Sequence, residues 1–415
     1  MTTTREPLHL SSTPGSDTYR RSGRTRRIEE TVELAWSVRG EAGISRLSDI
    51  TDLDRIGLPV YNVYRPNAMD LNLTVSSGKG TSPLHSMASG LMEAIERHFG
   101  ETQSLASSVM TLREAHATGR PVLDPRRLTP DVRRFPKLDD VFEWVDGTSA
   151  WGGPDVMIPA SAIYTPYQRG GVRSYESHSD GLVSGNTRPE ALLHGMLELI
   201  ERDACSFGEL LHHGARIERD TVTASVGDVW DRISGAGIDT QLFFFSSPTG
   251  VPVFYALGID PDAHSAMLIN AGAGASLDPE RAALRALTEL AQSRACVISG
   301  SREDFSTRYA GRKRISLQRA LDCAREWGNR AWETWEWDRV PQLATGDLDA
   351  DVDLVRHLLV AADLGEVYVV DLVPPDFPFA IMKVVIPGVE YVVEHRYRLG
   401  PRFHAAAVRA GYSGS

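Results

Sequence analysis

Three segments of the chain combine a glycine- or serine-rich stretch with a helix-forming stretch that has two acid or amide side chains three residues apart. Residues three apart lie on one face of an α-helix, so each pair presents two oxygen ligands together. Crowded carboxylates repel one another unless a cation lies among them, and hard oxygen ligands suit Mg²⁺ that carries a nucleotide phosphate. The pairs are Glu93 and Glu96, Glu198 and Glu201, and Glu289 and Gln292.

The glycine-rich stretches that precede these pairs are SSGKG at 76–80, SDGLVSGN at 179–186 and NAGAGAS at 270–276. As loops, they would let the backbone approach a phosphate and adopt positive φ, and Lys79 would add a point charge. A Walker A loop is excluded because GxxxxGK[ST] is absent, and the GAG at 272–274 is not a dinucleotide fingerprint.

An internal ion-pair network is the alternative interpretation of the paired glutamates. Apolar residues flank each pair, so the carboxylates lie in segments that favour burial, and buried carboxylates need cations or hydrogen-bond donors. Four arginines on or beside the same helices can supply that charge: Arg97, Arg202, Arg285 and Arg294.

Composition points to a folded protein without membrane or nucleic-acid functions. The 415 residues allow one large domain or two subdomains, with 42% hydrophobic and 24% charged residues. The sequence contains neither an 18-residue apolar run nor an N-terminal signal core, so we expect a cytoplasmic protein with no membrane partner. The net charge of −11 argues against a nucleic-acid partner.

The N-terminal region is predicted to begin with a disordered tail over residues 1–18, and the domain is predicted to span 19–415 with its core at 60–400. A cluster of arginines from Arg20 to Arg27 is either a solvated basic arm or a clamp for phosphate oxygens. The proline-containing segment 109–146 is predicted to be an insertion or a subdomain.

Strands and helices alternate along the rest of the chain without a regular βαβ period, which indicates an α+β or mixed α/β fold with antiparallel sheets. Residues 240–247 and 251–259 are predicted to form a β-pair around the turn SPTG. The tryptophan-rich segment 316–337 is predicted to be helical.

Taken together, the three segments resemble the YcaO superfamily over roughly residues 60–400. The SxxxExxER pattern is present as Ser89, Glu93, Glu96 and Arg97. A Ser/Gly-Asn stretch leading to an ExxER helix is present as Ser184, Asn186, Glu198, Glu201 and Arg202. An RAxxExxQxR helix is present as Arg285, Glu289, Gln292 and Arg294, followed by SRED at 301–304.

The resemblance implies a YcaO-type fold around an ATP and Mg²⁺ site, where a peptide backbone amide oxygen is phosphorylated and ADP and phosphate are the products. The implied metal ligands are Glu93, Glu96, Glu198, Glu201 and Glu289. The implied catalytic residues are Glu93, Glu198 and Arg202. The expected nucleotide-binding residues are Lys79, Ser76, Ser77, Asn186, Gln292, Arg285, Arg294 and Arg27.

The nucleophile separates the subfamilies. Azoline-forming members commonly end in a proline-rich PxPxP tail, whereas this sequence ends in RAGYSGS and has no room for a fused leader-binding domain. Its VVIPGVE at 384–390, followed by RYRLGPR at 396–402, resembles stand-alone members that work with a TfuA-type partner and install thioamides from an external sulfur source. We therefore expect a thioamide-forming enzyme that acts on a precursor peptide. Thiazoline or oxazoline formation and macrocyclic amidine formation are the alternatives.

Two other classes of function are compatible with parts of the sequence. One is a non-catalytic scaffold that kept the ATP fold, although a scaffold has no need for clustered glutamates. The other is a ligase that activates a free carboxylate and releases AMP. The resemblance also implies a homodimer.

Overall fold

Two units, interleaved in sequence, make up the chain in the computed structural model, which describes residues 19, 23–170, 178–303, 316–392 and 397–411. The first unit contains Met1–Arg27, Glu96–Leu211 and Thr345–Ser415, and the second contains Ile28–Ile95 and His212–Ala344. The predicted tail at 1–18 lies outside the described residues, as do Arg20, Arg21, Asp304 and Arg396.

Short strands and longer helices alternate in both units. The strands are β1 (Arg46–Asp49), β2 (Val60–Tyr64), β3 (Val75–Lys79), β4 (Ser107–Thr111), β5 (Val141–Ser149), β6 (Val156–Pro159), β7 (Leu182–Gly185), β8 (Gly214–Ile217), β9 (Asp239–Phe245), β10 (Val253–Ile259), β11 (Asn270–Ala275), β12 (Glu333–Trp335), β13 (Tyr368–Asp371) and β14 (Ala380–Val385). The helices are α1 (Ile28–Ser37), α2 (Pro83–Glu101), α3 (Leu112–Ala117), α4 (Arg188–Leu211), α5 (Ala224–Gly235), α6 (Pro279–Ser299), α7 (Leu317–Gly328), α8 (Leu348–Ala361) and α9 (Pro401–Arg409).

The first unit is built on an antiparallel sheet with strand order β4-β5-β13-β14-β7, and β6 pairs with β5. Helix α4 packs against β7 and β14 and also contacts α8 and α9. Residues 109–146 do not form a separate subdomain, because β4 and β5 within them belong to this sheet. That they are an insertion stays a prediction. Its prolines lie in the connection between these two strands, where they interrupt no ladder.

The second unit contains a three-stranded sheet, β1-β2-β3, and a five-stranded sheet, β11-β10-β9-β8-β12. The predicted β-pair is confirmed as the antiparallel strands β9 and β10. Helices α5 and α6 bury their apolar faces against the larger sheet, around Trp230, Phe244 and Leu287. The antiparallel sheets and mixed α/β content of both units match the predicted fold class.

The tryptophan-rich segment 316–337 is not one helix as predicted. Helix α7 ends at Gly328, and β12 then pairs in parallel with β8. A Cβ at Gly328 would overlap Oε1 of Gln241, and Trp335 stacks on Phe244 with ring centroids 5.0 Å apart. Aromatic residues favour strands because they pack well on a pleated surface, and this packing overrides the helical pattern.

The three glycine-rich stretches form strands and not loops. They contain β3, β7 and β11, and the helices α2, α4 and α6 follow shortly after them. A Cβ at Gly78 would overlap the Ser86 carbonyl oxygen, one at Gly185 the Ala191 nitrogen and one at Gly274 the Ala282 carbonyl oxygen. The glycines therefore let each strand lie against the backbone of its own helix.

The predicted positive φ angles are also mostly absent from these stretches. Of the glycines at 78, 80, 181, 185, 272 and 274, all of them described, Gly181 alone has positive φ, at 78°. An extended strand has no need of that conformation, since β-region φ and ψ angles are accessible to every residue.

Candidate functional site

In the second unit, the acid–amide pair of α6 lies over the end of β3. Lys79 forms an ion pair with Glu289, and the Gln292 side-chain amide donates to the Ser77 carbonyl oxygen. Glu289 and Gln292 are three apart on one face of α6, and this face lies against the segment from Ser77 to Lys79, which it meets through the Lys79 side chain and the Ser77 main chain. The structure thus brings together four residues that the sequence predicts for the site.

The serine hydroxyls at 76 and 77 are buried within the same unit. Ser77 Oγ donates to Asn62 Oδ1 at 2.7 Å, and Asn62 donates to Ser301 Oγ at 2.8 Å. Ser76 is 1% exposed. A nucleotide would reach these hydroxyls only after local rearrangement, so their predicted phosphate contacts stay predictions.

The two predicted arginines of α6 differ in their surroundings. Arg294 is buried, with Nε 2.9 Å from Asp54 Oδ2 and Nη2 2.9 Å from Asp260 Oδ2. Here the alternative interpretation, an internal ion-pair network, describes the geometry. Arg285 has a buried Nε atom without a hydrogen-bond partner among the described residues, so it retains donor capacity. Arg294 Nη1 is likewise buried without a hydrogen-bond partner among the described residues, so both arginines stay among the proposed nucleotide contacts.

Helix α2 presents Glu93 and Glu96 one turn apart, both half-buried. In the first unit, Ser184 Oγ of β7 donates to Glu96 Oε1 at 2.5 Å. A glutamate from the helix of the first segment thus contacts the strand of the second segment. In the second unit, Glu289 and Gln292 from the helix of the third segment, α6, likewise contact the strand of the first segment, β3.

Helix α4 presents Glu198, Glu201 and Arg202. Arg202 bridges two acids: its Nε lies 3.1 Å from Asp180 Oδ1, and its Nη1 lies 3.5 Å from Glu201 Oε1. The Glu198 side chain keeps some exposed surface, yet burial of its carboxyl raises the pKa to about 8, and Arg202 offsets this only in part. Without a cation, Glu198 therefore holds a proton at neutral pH.

Residues of the arginine cluster contact the start of α4. Buried Glu190 accepts hydrogen bonds from Thr25 N at 3.0 Å and Thr25 Oγ1 at 2.6 Å, and it pairs with Arg24 at 3.3 Å. Arg26 Nη1 lies 3.5 Å from the Oδ1 atom of Asn186, a predicted nucleotide contact. Arg27, the predicted nucleotide contact, has an exposed side chain. Of the two neighbouring arginines, Arg26 is the one that contacts Asn186.

The carboxylates fit Mg²⁺ that is bound together with a phosphate. Such an ion takes one or two protein carboxylates and completes its shell with phosphate oxygens and water. Within the described ranges, no group of three or more His, Cys, Asp or Glu side chains is spaced to hold a metal ion alone. A cation near Glu198 would offset the desolvation that raises its pKa.

The residue after Arg202 anchors the C-terminal segment to α4. Asp203 is 1% exposed and forms a bidentate ion pair with Arg402, at 2.6 and 3.0 Å, and it accepts the Glu390 N–H at 3.0 Å. Buried Glu390 in turn accepts the N–H groups of Gly400 at 2.8 Å and Phe403 at 2.9 Å, so it caps α9.

Sequence reasoning missed Asp180, Glu190, Asp203 and Glu390. Asp180 precedes Gly181 in the glycine-rich stretch at 179–186, and Asp203 directly follows the ExxER pattern. The position of each residue therefore indicated a place near the site. Glu190 pairs with Thr25, 165 positions away, and a single sequence gives no indication of such a pairing. The partners of the Glu390 carboxylate, Gly400 and Phe403, lie only 10 and 13 positions ahead, but no local pattern marks Glu390 as a cap.

Comparison with known proteins identifies the family to which this chain belongs. The model of the YcaO family, described as an ATP- and Mg²⁺-binding cyclodehydratase, matches residues 77–390. An uncharacterized protein from the region 3′ to tfuA of Rhizobium leguminosarum bv. trifolii is 32% identical over 381 residues, which cover 87% of each chain.

Solved structures share the fold. YcaO from Methanopyrus kandleri, bound with AMPPCP and Mg²⁺, matches with a TM-score of 0.74 at 24% identity and covers 91% of this chain and 95% of that one. A heterocyclase in complex with substrate and cofactor matches with a TM-score of 0.79 at 22% identity, over 98% of this chain and 57% of that one. Among the described helices, none combines the length and apolarity that a membrane span requires.

Proposed function

Because this chain belongs to the YcaO family of ATP- and Mg²⁺-binding cyclodehydratases, we propose that it phosphorylates a backbone amide oxygen of a ribosomally made peptide and that sulfur then replaces this oxygen. A peptide amide is a poor electrophile because resonance spreads the nitrogen lone pair into the carbonyl. Phosphorylation turns the oxygen into a good leaving group. The products are a thioamide, ADP and phosphate.

The observation that carries this proposal is the set of paired oxygen ligands on three helices within the matched region. We propose that the metal ligands come from Glu93, Glu96, Glu198, Glu201 and Glu289. Bound Mg²⁺ supplies positive charge to the phosphate that is transferred. Arg202, held by Asp180 and Glu201, is positioned to stabilise negative charge that develops during the transfer.

Further residues are proposed to hold the nucleotide. Lys79 and Gln292 stand at the end of β3, where Lys79 can exchange its ion pair with Glu289 for a phosphate oxygen. Asn186 and Arg26 form the corresponding set at the start of α4. Arg285 and Arg294 each supply an unused donor, while Ser76, Ser77 and Arg27 are the remaining proposed contacts.

Thioamide formation is favoured by the Rhizobium relative from the region 3′ to tfuA. The resemblance of residues 384–390 and 396–402 to TfuA-associated members agrees with it. We therefore propose a separate sulfur source and a TfuA-type partner protein, with a precursor peptide as substrate.

Cyclodehydration to an azoline or a macrocyclic amidine is the second candidate. The observation that favours it is the match to a heterocyclase over 98% of this chain. In that reaction the nucleophile is a side chain or amine of the peptide itself, so water is lost and no sulfur enters.

Intact-mass measurement of a candidate peptide, incubated with enzyme, Mg·ATP, sodium hydrosulfide and partner, separates the two reactions. We expect a gain of about 16 Da, since sulfur replaces oxygen and the phosphate leaves. A loss of about 18 Da without hydrosulfide would establish cyclodehydration instead. Release of AMP in place of ADP would indicate carboxylate activation, and failure to bind Mg·ATP would indicate a scaffold.

Glu93→Ala and Glu198→Ala test the residues in the same assay. Both variants should lose ATP- and peptide-dependent modification while they keep the far-UV spectrum of the wild type. Glu209→Ala, on the same helix as Glu198, is the matched control and should retain activity. Undiminished modification by both site variants would contradict the proposed ligands.

We propose a homodimer and a cytoplasmic location as well. Light scattering coupled to size-exclusion chromatography tests the first, and cell fractionation tests the second.

A further inference from the structure

The C-terminal segment that resembles TfuA-associated members faces inward and contacts α4. Its described side chains include four that are at most 4% exposed, namely Ile386, Val389, Glu390 and Arg398. These four side chains are therefore not presented on the surface to a partner protein. We call residues 388–392 and 397–403 the C-terminal latch, after the contacts that they make with α4.

Two polar side chains of α4 bind the C-terminal latch. Asp203 forms a bidentate ion pair with Arg402, at 2.6 and 3.0 Å, and accepts the Glu390 N–H at 3.0 Å. The Ser206 hydroxyl is shared between the carbonyl oxygens of Glu390, 3.1 Å away, and Arg202, 3.0 Å away. The latch thus reaches the main chain of the arginine that is proposed to stabilise charge during phosphate transfer.

Aromatic packing completes the attachment. The ring centroids of Phe207 and Phe403 lie 5.6 Å apart, and Val392 belongs to the same buried apolar cluster. The guanidinium carbon of Arg402 lies 5.4 Å from the Phe207 ring centroid. A bidentate ion pair combined with ring contacts restricts the rotation of the helix as well as its position.

The latch and the proposed metal ligands use opposite faces of α4. Each residue of an α-helix is rotated by about 100° from the one before it. Asp203 and Phe207 therefore lie on one face, whereas Glu198 and Glu201 lie roughly on the opposite face, and Arg202 lies between the two. Because a helix is rigid over a few turns, contacts on the latch face determine where the side chains near the ligand face lie.

The use of a buried ion pair in the latch favours orientation over stability as its role. Asp203 is 1% exposed, and burial raises the pKa of its carboxyl, which the hydrogen bonds from Arg402 offset only in part. Apolar residues of similar volume often stabilise a protein as well as a buried ion pair does, because the ions lose their hydration. A bidentate arginine–carboxylate pair, in contrast, specifies one geometry.

We propose that Asp203 and Arg402 are positioning residues, and that the C-terminal latch holds α4 so that Arg202 stays where phosphate transfer requires it. The catalytic consequence rests on the proposed function, whereas the clamp on α4 does not. The segment that resembles TfuA-associated members thus acts inside the chain, on the helix of the proposed site.

Steady-state ADP release with peptide gives the first test. Arg402→Met should lower kcat about tenfold, since small displacements of catalytic groups are costly. Arg402→Lys, which keeps the charge but loses the bidentate geometry, should lose less. Arg113→Met breaks an exposed bidentate pair with Asp139 in the same unit and is the matched control, which should keep the wild-type kcat. Wild-type kcat in Arg402→Met, or an equal loss in Arg113→Met, would overturn the proposal.

A double-mutant cycle separates positioning from a general loss of structure. In an Arg202→Lys background, Arg402→Met should lower kcat by less than about twofold, because the group that the latch positions is already absent. A merely structural effect would lower kcat by the same factor in both backgrounds, and this result would contradict a positioning role.

Crystal structures test the clamp independently of the reaction. In Arg402→Met the distance from Arg202 Nε to Asp180 Oδ1, which is 3.1 Å in the wild type, should lengthen beyond about 3.5 Å, the limit of a hydrogen bond. An unchanged distance would show that the latch does not position Arg202. If the wild type turns over no ATP with any peptide, the proposed function fails, while the crystals still decide the role of the latch.

Discussion

Glu289 in the second unit has Lys79 as an ion-pair partner, whereas Glu198 in the first unit accepts, among the described residues, a long 3.4 Å hydrogen bond from the Gly181 N–H. Both glutamates come from helices that follow a glycine-rich strand. The difference lies in charge compensation: the lysine balances one carboxylate in advance, and burial leaves the other protonated near neutral pH. We infer that Glu198 depends on a bound cation more strongly than Glu289 does.

The most severe test of this contrast is to neutralise each glutamate. Glu198→Gln should lower kcat for ATP- and peptide-dependent turnover about 10³-fold, because the amide cannot complete a cation site. Glu289→Gln should lower it about tenfold, since Lys79 remains for the phosphate. Steady-state ADP release at saturating Mg²⁺ measures both. Equal losses in the two variants would remove the distinction.

Ion pairs of the two units provide a second contrast. The side chains of Arg294 and of both its acids are at most 4% exposed. Arg294→Met should lower the free energy of unfolding by about 4 kcal/mol, because buried Asp54 loses its charged partner and Asp260 keeps Arg55 alone. Arg402 is 28% exposed, and Arg402→Met should cost about 2 kcal/mol because water partly replaces it. Urea unfolding followed by circular dichroism gives both free energies. A larger loss in Arg402→Met than in Arg294→Met would show that burial of the arginine does not determine the stability of these ion pairs.

The strand–helix construction that the two units share is tested with glycine substitutions. Gly78→Ala should destabilise the protein by about 3 kcal/mol, because the new Cβ overlaps the backbone of α2. Gly40→Ala, where a Cβ meets no atom within 4 Å, is the control and should change stability by less than about 0.5 kcal/mol. Thermal unfolding compares the two, and similar melting temperatures would mean that the strand can move away from its helix.

The smallest expected effect concerns pH. Burial lowers the pKa of Lys383 from 10.5 in the unfolded state to about 8 in the folded state. The charged lysine therefore destabilises the fold, and this cost falls as pH rises through 8. Relative to Lys383→Met, the wild type should therefore gain about 1 kcal/mol in unfolding free energy between pH 7 and pH 9. Urea titrations in halide-free buffer measure the difference, and a pH-independent one would show that Lys383 titrates normally.

Part of the site could be predicted because its information is local. The spacing of Glu198 and Glu201 specifies a shared helical face whatever surrounds them, and the same holds for Glu289 and Gln292. The β9–β10 pair was recognisable from its apolar runs around a turn. The fold class and the family followed from such patterns taken together.

The remainder depends on packing that a single sequence does not contain. Strands β3 and β11 are rich in glycine, alanine and serine, whose strand propensity is low, so they were interpreted as loops. Pairing with β2 and β10 makes them strands, and their glycines let them pack closely against α2 and α6. The ion pair between Lys79 and Glu289, and the hydrogen bond from Lys383 to His178, join residues more than two hundred positions apart. Nothing near either residue specifies these contacts.

The attachment of α4 to the C-terminal segment has a consequence for biosynthesis. Asp203 and Ser206 of α4 find partners in residues 390–402, and these residues are translated only after the whole of the 212–344 portion of the second unit. At about 5–20 residues per second, the ribosome needs roughly 10–40 s to proceed from Ser206 to Arg402. Until Arg402 has been made, Asp203 lacks its ion-pair partner, and the helix with Glu198 cannot be fixed to the C-terminal segment. The second unit, in contrast, has its complete sequence as soon as Ala344 has been made.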